Sequence, residues 1–104
     1  MYKTIIIEDE QRIREALSIM LEMVAPDQVQ IVAYAESTEE AVKLIDRLKP
    51  DLVFMDIMLQ NGTGFDVLQQ ISFNSFHLIF TTAYEQHAVN AFKYSAVDYL
   101  LKPI

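Results

Sequence analysis

The chain has 104 residues, enough for one domain with a buried core but toward the small end of the common range. With 52% apolar and 22% charged residues, its composition is that of an ordinary soluble globular domain, which excludes intrinsic disorder. A net charge of −7 argues against direct binding of nucleic acid, and the absence of cysteine excludes disulfides and thiolate metal sites.

No apolar run reaches the length of a membrane span. The opening "YKTIIIEDE" has too short an apolar stretch, with acids directly after it, to read as a signal peptide. The expected location is the cytoplasm, with no membrane partner.

In chain order, "KTIIIE" (3–8) is a short β-branched run that predicts a first strand. Ile13, Ala16, Leu17, Met20, Leu21 and Val24 then recur at helical spacing and stop near Pro26. "VQIVAYA" (29–35) is a second strand. Ser37 with Glu40 makes a capping-box signature for a second helix, with Ala41, Leu44, Ile45 and Leu48 on one face. Lys49-Pro50-Asp51 ends it.

"LVFM" (52–55) is apolar at every position, as a strand covered on both faces should be. "QNGTG" (60–64) holds both glycines of the chain and predicts a turn. Phe65, Leu68 and Ile71 suggest a third helix, "FHLIFTT" (76–82) a fourth strand, Ala88, Ala91 and Phe92 a fourth helix, and "VDYLL" (97–101) a fifth strand. Strand and helix alternate throughout, the pattern of an α/β parallel sheet with helices on both faces. Ligands of such sheets bind beyond the carboxyl ends of the strands.

Those ends carry Glu8 and Asp9, then Asp56, then Thr81 and Thr82, then Lys102. If the first and third strands are neighbours, three carboxylates converge. Two such charges about 4 Å apart repel by roughly 4 kcal/mol at an effective dielectric near 20. The cluster then needs a cation, or one member stays protonated. All-oxygen ligands favour a hard ion, and Mg²⁺ fits best because it takes few carboxylates and keeps waters and phosphate oxygens. The plainer alternative is a solvated loop with Asp9 or Glu10 near a helix N-cap. Asp56 weighs against it, because it ends the most buried strand.

"IIIEDE", "DLVFMDIM", "FTTAY" and "DYLLKPI", in that order, resemble the receiver domain of bacterial two-component response regulators. The segment "AFKYSAVDYLLKPI" is most similar to receivers attached to LytTR-type (LytR/AlgR) DNA-binding domains. The resemblance implies a flavodoxin-like, doubly wound, five-stranded parallel sheet of order 2-1-3-4-5. It implies that Asp56 is the phosphoacceptor, taking a phosphoryl group from a sensor histidine kinase or a phosphotransfer protein. Glu8, Asp9, Asp56 and the backbone carbonyl of Met58 would hold Mg²⁺. Thr82, Tyr99 and Lys102 would bind the phosphoryl group or report it, and the bond before Pro103 would be cis. A covalently linked output domain is implied, as is a homodimer contact through the fourth helix and fifth strand.

Chemistry agrees with these roles. An ionised carboxylate attacks phosphorus without a general base, and phosphoryl transfer asks mostly for positioning and charge neutralisation. Gln60 departs from the family's usual proline, so the loop after Asp56 is expected to be looser or held differently. The family normally continues into a fifth helix, which this chain lacks. The expectation is therefore a receiver over 1–104, truncated before its last helix, with apolar surface uncovered beside the first helix.

Readings from other classes fit less well. A Mg²⁺-dependent phosphatase with an aspartyl nucleophile calls for a second aspartate two residues after Asp56, where Met58 stands. A cofactor-binding flavodoxin calls for a Ser/Thr/Gly-rich phosphate loop where Glu8-Asp9-Glu10 stand, and a nucleotide kinase for a GxxxxGK[ST] loop. The receiver is thus expected to be a signalling switch rather than an enzyme acting on external substrates.

Overall fold

A computed structural model describes residues 1–73, 75–82 and 98–101, with side chains excepted at 82 and 98–101. The strands are β1 (Tyr2–Ile7), β2 (Val29–Ala35), β3 (Leu52–Asp56), the short pair β4 (Met58–Leu59) and β5 (Gly62–Thr63), β6 (His77–Thr82) and β7 (Asp98–Leu101). The helices are α1 (Gln11–Val24), α2 (Thr38–Leu48) and α3 (Gly64–Gln70). The fourth helix expected around Ala88, Ala91 and Phe92 lies outside the described residues, as do Lys102 and Pro103.

β2, β1, β3, β6 and β7 form one sheet in that order, and every neighbouring pair is parallel. With the β4–β5 hairpin set aside, this is the expected 2-1-3-4-5 order. The crossovers explain it: a helix between parallel strands must lie on one face of the sheet, and reversing the winding direction after β2 covers both faces.

The uniform apolarity of β1 and β3 follows from that two-sided burial. Ile5, Ile7, Val53 and Met55 point into one core with Ala41, Ile45, Val67, Leu78 and Phe80. Ile6 and Phe54 point the other way, into a smaller core with Leu17 and Leu21 of α1. Strand side chains alternate between faces, so both sets must be apolar. Only part of the apolar stripe expected on α1 is covered: Leu17 and Leu21 are buried, whereas Ala16 and Val24 are exposed. Ile19 and Met23 are exposed as well, which gives α1 a broad apolar outer flank.

The predicted cap of α2 is present in altered form. Ser37 Oγ accepts from Glu40 N at 3.2 Å, but the Glu40 carboxylate reaches past Ser37 to accept from Glu36 N, also at 3.2 Å. Glu39 and Glu40 lie in the first turn and Arg47 in the last, each sign matched to the helix dipole. Lys49 closes the helix in the left-handed region, at φ 48°.

"QNGTG" proves to be more than a turn. Met58 pairs with Thr63 and Leu59 with Gly62 in an antiparallel hairpin, with Asn61 at φ 65° and Gly62 at φ 150°. A Cβ at Gly62 would sit 2.7 Å from Asp66 Oδ2, so both backbone and space require glycine. Thr63 then caps α3 reciprocally: its Oγ1 accepts from Asp66 N, and Asp66 Oδ2 accepts from Thr63 N.

α2 also fixes the chain leaving α3. Asp46 Oδ1 accepts from both Ser72 N and Phe73 N, each at 2.9 Å. Asp46→Ala should therefore lower unfolding free energy in urea by about 1–2 kcal/mol, and Asp46→Asn, which keeps an acceptor, by clearly less. Equal losses in the two variants would show that these hydrogen bonds are not what Asp46 contributes.

Candidate functional site

Parallel pairing of β1 with β3 aligns Ile7 with Met55, so Glu8 and Asp56 follow at the same rim of the sheet. One carboxylate oxygen from each of Glu8, Asp9 and Asp56 lies within 4.8 Å of the other two. Glu8 is 2% exposed and Asp56 5% exposed, while Asp9 faces solvent. Two of the acids are thus buried and the third is open to water.

Each acid is aimed by local backbone. Glu8 N donates to Ala35 O at 2.9 Å, which extends the β1–β2 pairing to the first acid. Glu8 Oε2 accepts from Glu10 N at 3.2 Å, turning the loop into α1. Glu10 takes the N-cap position of α1, but its side chain makes no capping hydrogen bond. Arg14, one turn into α1, donates from Nη1 to Glu8 O at 2.9 Å and pairs with Glu36 at 3.0 Å.

On the other side, Asp56 Oδ1 accepts from Met58 N at 3.2 Å. Ile57 N donates to Thr81 O, and Asp56 pairs in register with Thr81, which is itself 2% exposed. Met58 is half-exposed at the lip of the pocket.

The backbone beyond Asp56 is held without the proline common at position 60. Thr38 N donates to Gln60 O at 3.3 Å, and Thr38 Oγ1 to Asn61 O at 3.4 Å. The start of α2 therefore holds the hairpin. Gly64 seats the hairpin against the site: its N–H donates to Ile57 O at 2.7 Å. A Cβ there would meet Asp56 O and Phe80 Cε1, each at 2.9 Å. Sequence reasoning marks Gly64 only as a turn residue and passes over Arg14, whose place on a helix flank reads as surface charge.

Of the residues singled out from sequence, Glu8, Asp9 and Asp56 come together, with Met58 beside them. Thr82 ends β6, one position past the Asp56–Thr81 pair, and Tyr99 pairs with Phe80 through β7. The side chains of Thr82 and Tyr99, and all of Lys102 and Pro103, lie outside the described residues.

The donor set fits a hard divalent cation: all oxygen, closely spaced, and with Asp9 exposed to water. Carboxylates at this spacing repel one another when charged, and a cation among them offsets that repulsion. A pair 4.8 Å apart repels by about 3 kcal/mol at an effective dielectric near 20. Among the described residues, no helix is long and apolar enough to cross a membrane.

A family model for the response regulator receiver domain matches residues 4–104. The sequence is 41% identical over 101 residues to the sensory transduction protein LytT of Enterococcus faecalis, covering 95% of this chain and 41% of that protein. It is 39% identical over 105 residues to an uncharacterized response regulatory protein of Vibrio parahaemolyticus, covering 100% of this chain and 43% of that protein. The chain thus spans well under half the length of these relatives. Among solved structures, the response regulatory domain of mrkE from Klebsiella pneumoniae matches with a TM-score of 0.86 at 35% identity, covering 98% of this chain and 84% of that one. The response regulator domain of Thermotoga maritima CheB matches at 0.85 and 25% identity, covering 97% and 78%. The chain belongs to the response regulator receiver domain family, the signalling domains of two-component systems.

Proposed function

We propose that this receiver is switched by phosphorylation of Asp56, and that the whole of 1–104 forms that one domain. The observation that carries the reading is a buried aspartate at the end of a central strand, its carboxylate gathered with those of Glu8 and Asp9. A merely structural aspartate has no reason to be buried among like charges.

In this reading, an Asp56 carboxylate oxygen attacks the phosphorus of a phosphohistidine on a sensor kinase or phosphotransfer protein. The new O–P bond forms as the P–N bond breaks, and the electron pair leaves with the imidazole. A carboxylate nucleophile attacks phosphorus without a general base. Mg²⁺, held by Glu8, Asp9, Asp56 and the Met58 carbonyl, would supply charge neutralisation at the transferring group. The hydrogen bond from Met58 N orients the carboxylate, and the central strand limits its movement. Thr82, Lys102 and Tyr99 are assigned to the phosphoryl group and its read-out, and Pro103 to a cis turn, on family resemblance. An output domain, DNA-binding as in transcriptional relatives, would receive the signal in a longer protein, working in the cytoplasm.

Incubation with acetyl phosphate and Mg²⁺ should add one phosphoryl group, read by intact mass. The adduct should be absent without Mg²⁺ and absent in Asp56→Asn. An adduct that persists in folded Asp56→Asn would move the acceptor elsewhere.

The like-charge cluster generates a second expectation. Without divalent cation, Asp56→Asn should melt higher than the native protein, because two pair repulsions disappear. Mg²⁺ should raise the native melting temperature and do so far less in Asp56→Asn and Asp9→Asn. Equal Mg²⁺ responses in all three would place cation binding outside the cluster.

Gly64→Ala tests the close approach behind Asp56. Its methyl group must displace the Asp56 carbonyl or the Phe80 ring, costing about 1–3 kcal/mol. Phosphorylation by acetyl phosphate should slow even at temperatures where the variant is fully folded. Native stability together with a native rate would mean that the site yields without consequence.

A further inference from the structure

We infer that Arg14 is a positioning residue for the acidic pocket: it fixes the peptide unit that joins Glu8 to Asp9. The inference rests on the pocket being a divalent-cation site, as proposed above.

The geometry is specific. That peptide unit consists of the Glu8 carbonyl and the Asp9 N–H, and it links two of the three acids in the cluster. A peptide is planar, so holding its carbonyl direction restricts how both flanking side chains leave the backbone. Arg14 Nη1 holds it with a 2.9 Å hydrogen bond to Glu8 O. The residue before is fixed as well, since Glu8 N donates to Ala35 O.

The guanidinium is in turn anchored on two sides. Its Nη1 pairs at 3.0 Å with Glu36 Oε1, just past the end of β2. The Arg14 backbone is held in α1, with Arg14 N donating to Glu10 O and Arg14 O accepting from Ser18 Oγ. The Arg14 side chain is 15% exposed, against 50% for Glu36. A surface ion pair is worth little by itself and does not require a largely buried guanidinium. Orientation of a backbone group beside a metal site does, because outer partners that aim metal-binding groups typically matter about tenfold or more in affinity.

Positioning and simple electrostatics predict opposite signs. A cationic side chain behind the pocket repels a divalent cation, so removing only its charge should tighten binding. Loss of positioning should loosen it.

The test is Mn²⁺ affinity, read by electron paramagnetic resonance on the native protein, Arg14→Gln, Arg14→Lys and Asp9→Asn. Melting curves without metal establish folding, and amide NMR shifts at Glu8 and Asp9 report the loop. Arg14→Gln should bind Mn²⁺ about tenfold more weakly, with Arg14→Lys in between and the Glu8 and Asp9 amides shifted in both. Equal or tighter binding by folded Arg14→Gln overturns the inference. Should that variant not fold, native affinity and native amide shifts in Arg14→Lys overturn it instead. Failure of the cation-site reading looks different: the native protein would then bind no better than Asp9→Asn.

Discussion

The organising constraint is the convergence of three carboxylates where β1 and β3 end side by side. Pairing of Ile7 with Met55 forces the adjacency, because residues that follow paired positions in parallel strands emerge at one rim. A pair repulsion of about 3 kcal/mol is large against the roughly 5–15 kcal/mol that holds a domain of this kind together. The surroundings therefore have to be stiff. β1 and β3 are the central strands, buried on both faces, and neither can slip by one residue without turning Ile5, Ile7, Val53 and Met55 out of their core.

The same requirement accounts for the irregular chain that follows Asp56. A strand entering a helix directly would leave the backbone beyond the acid free to relax away from the charge. Instead the chain folds into a two-residue-per-strand hairpin, held by Thr38 of α2 and seated through Gly64 on Ile57 O. Met58 N then has a fixed place from which to donate to Asp56. Glycine at 64 is a matter of space rather than of dihedral freedom: the helix start lies so near the Asp56 carbonyl and the Phe80 ring that a Cβ would sit 2.9 Å from each.

Much of this was legible in the sequence, for identifiable reasons. Strands covered on both faces must be apolar throughout, so "III" (5–7) and "LVFM" declare themselves, and an aspartate ending such a run stands out. Ser37 and Glu40 marked the start of α2, although Glu40 reaches Glu36 N rather than the N-cap amide. The hairpin was not legible as such, since strands of two residues carry no periodicity and only the glycines advertise a turn. The apolar stripe of α1 overstated its burial: spacing shows which residues share a face, not how far that face is covered. Arg14 was invisible because its role depends on a contact with a backbone carbonyl six residues earlier, and backbone contacts leave no compositional trace.

The placement of positive charge also bears on why the pocket suits a cation at all. An arginine paired with Glu8, Asp9 or Asp56 in their midst would relieve their repulsion permanently, and the site would have little reason to bind anything more. Arg14 instead directs Nη1 to the Glu8 carbonyl and to Glu36, behind the cluster. There it can orient the loop without occupying the space between the acids. A divalent ion entering from the solvent side, where Asp9 is exposed, would meet prearranged oxygens and offset the repulsion among them. Stability and ligand affinity are linked through that one repulsion. Any change that eases the crowding of the acids without the ion should stabilise the empty domain and weaken its hold on the ion by a comparable amount.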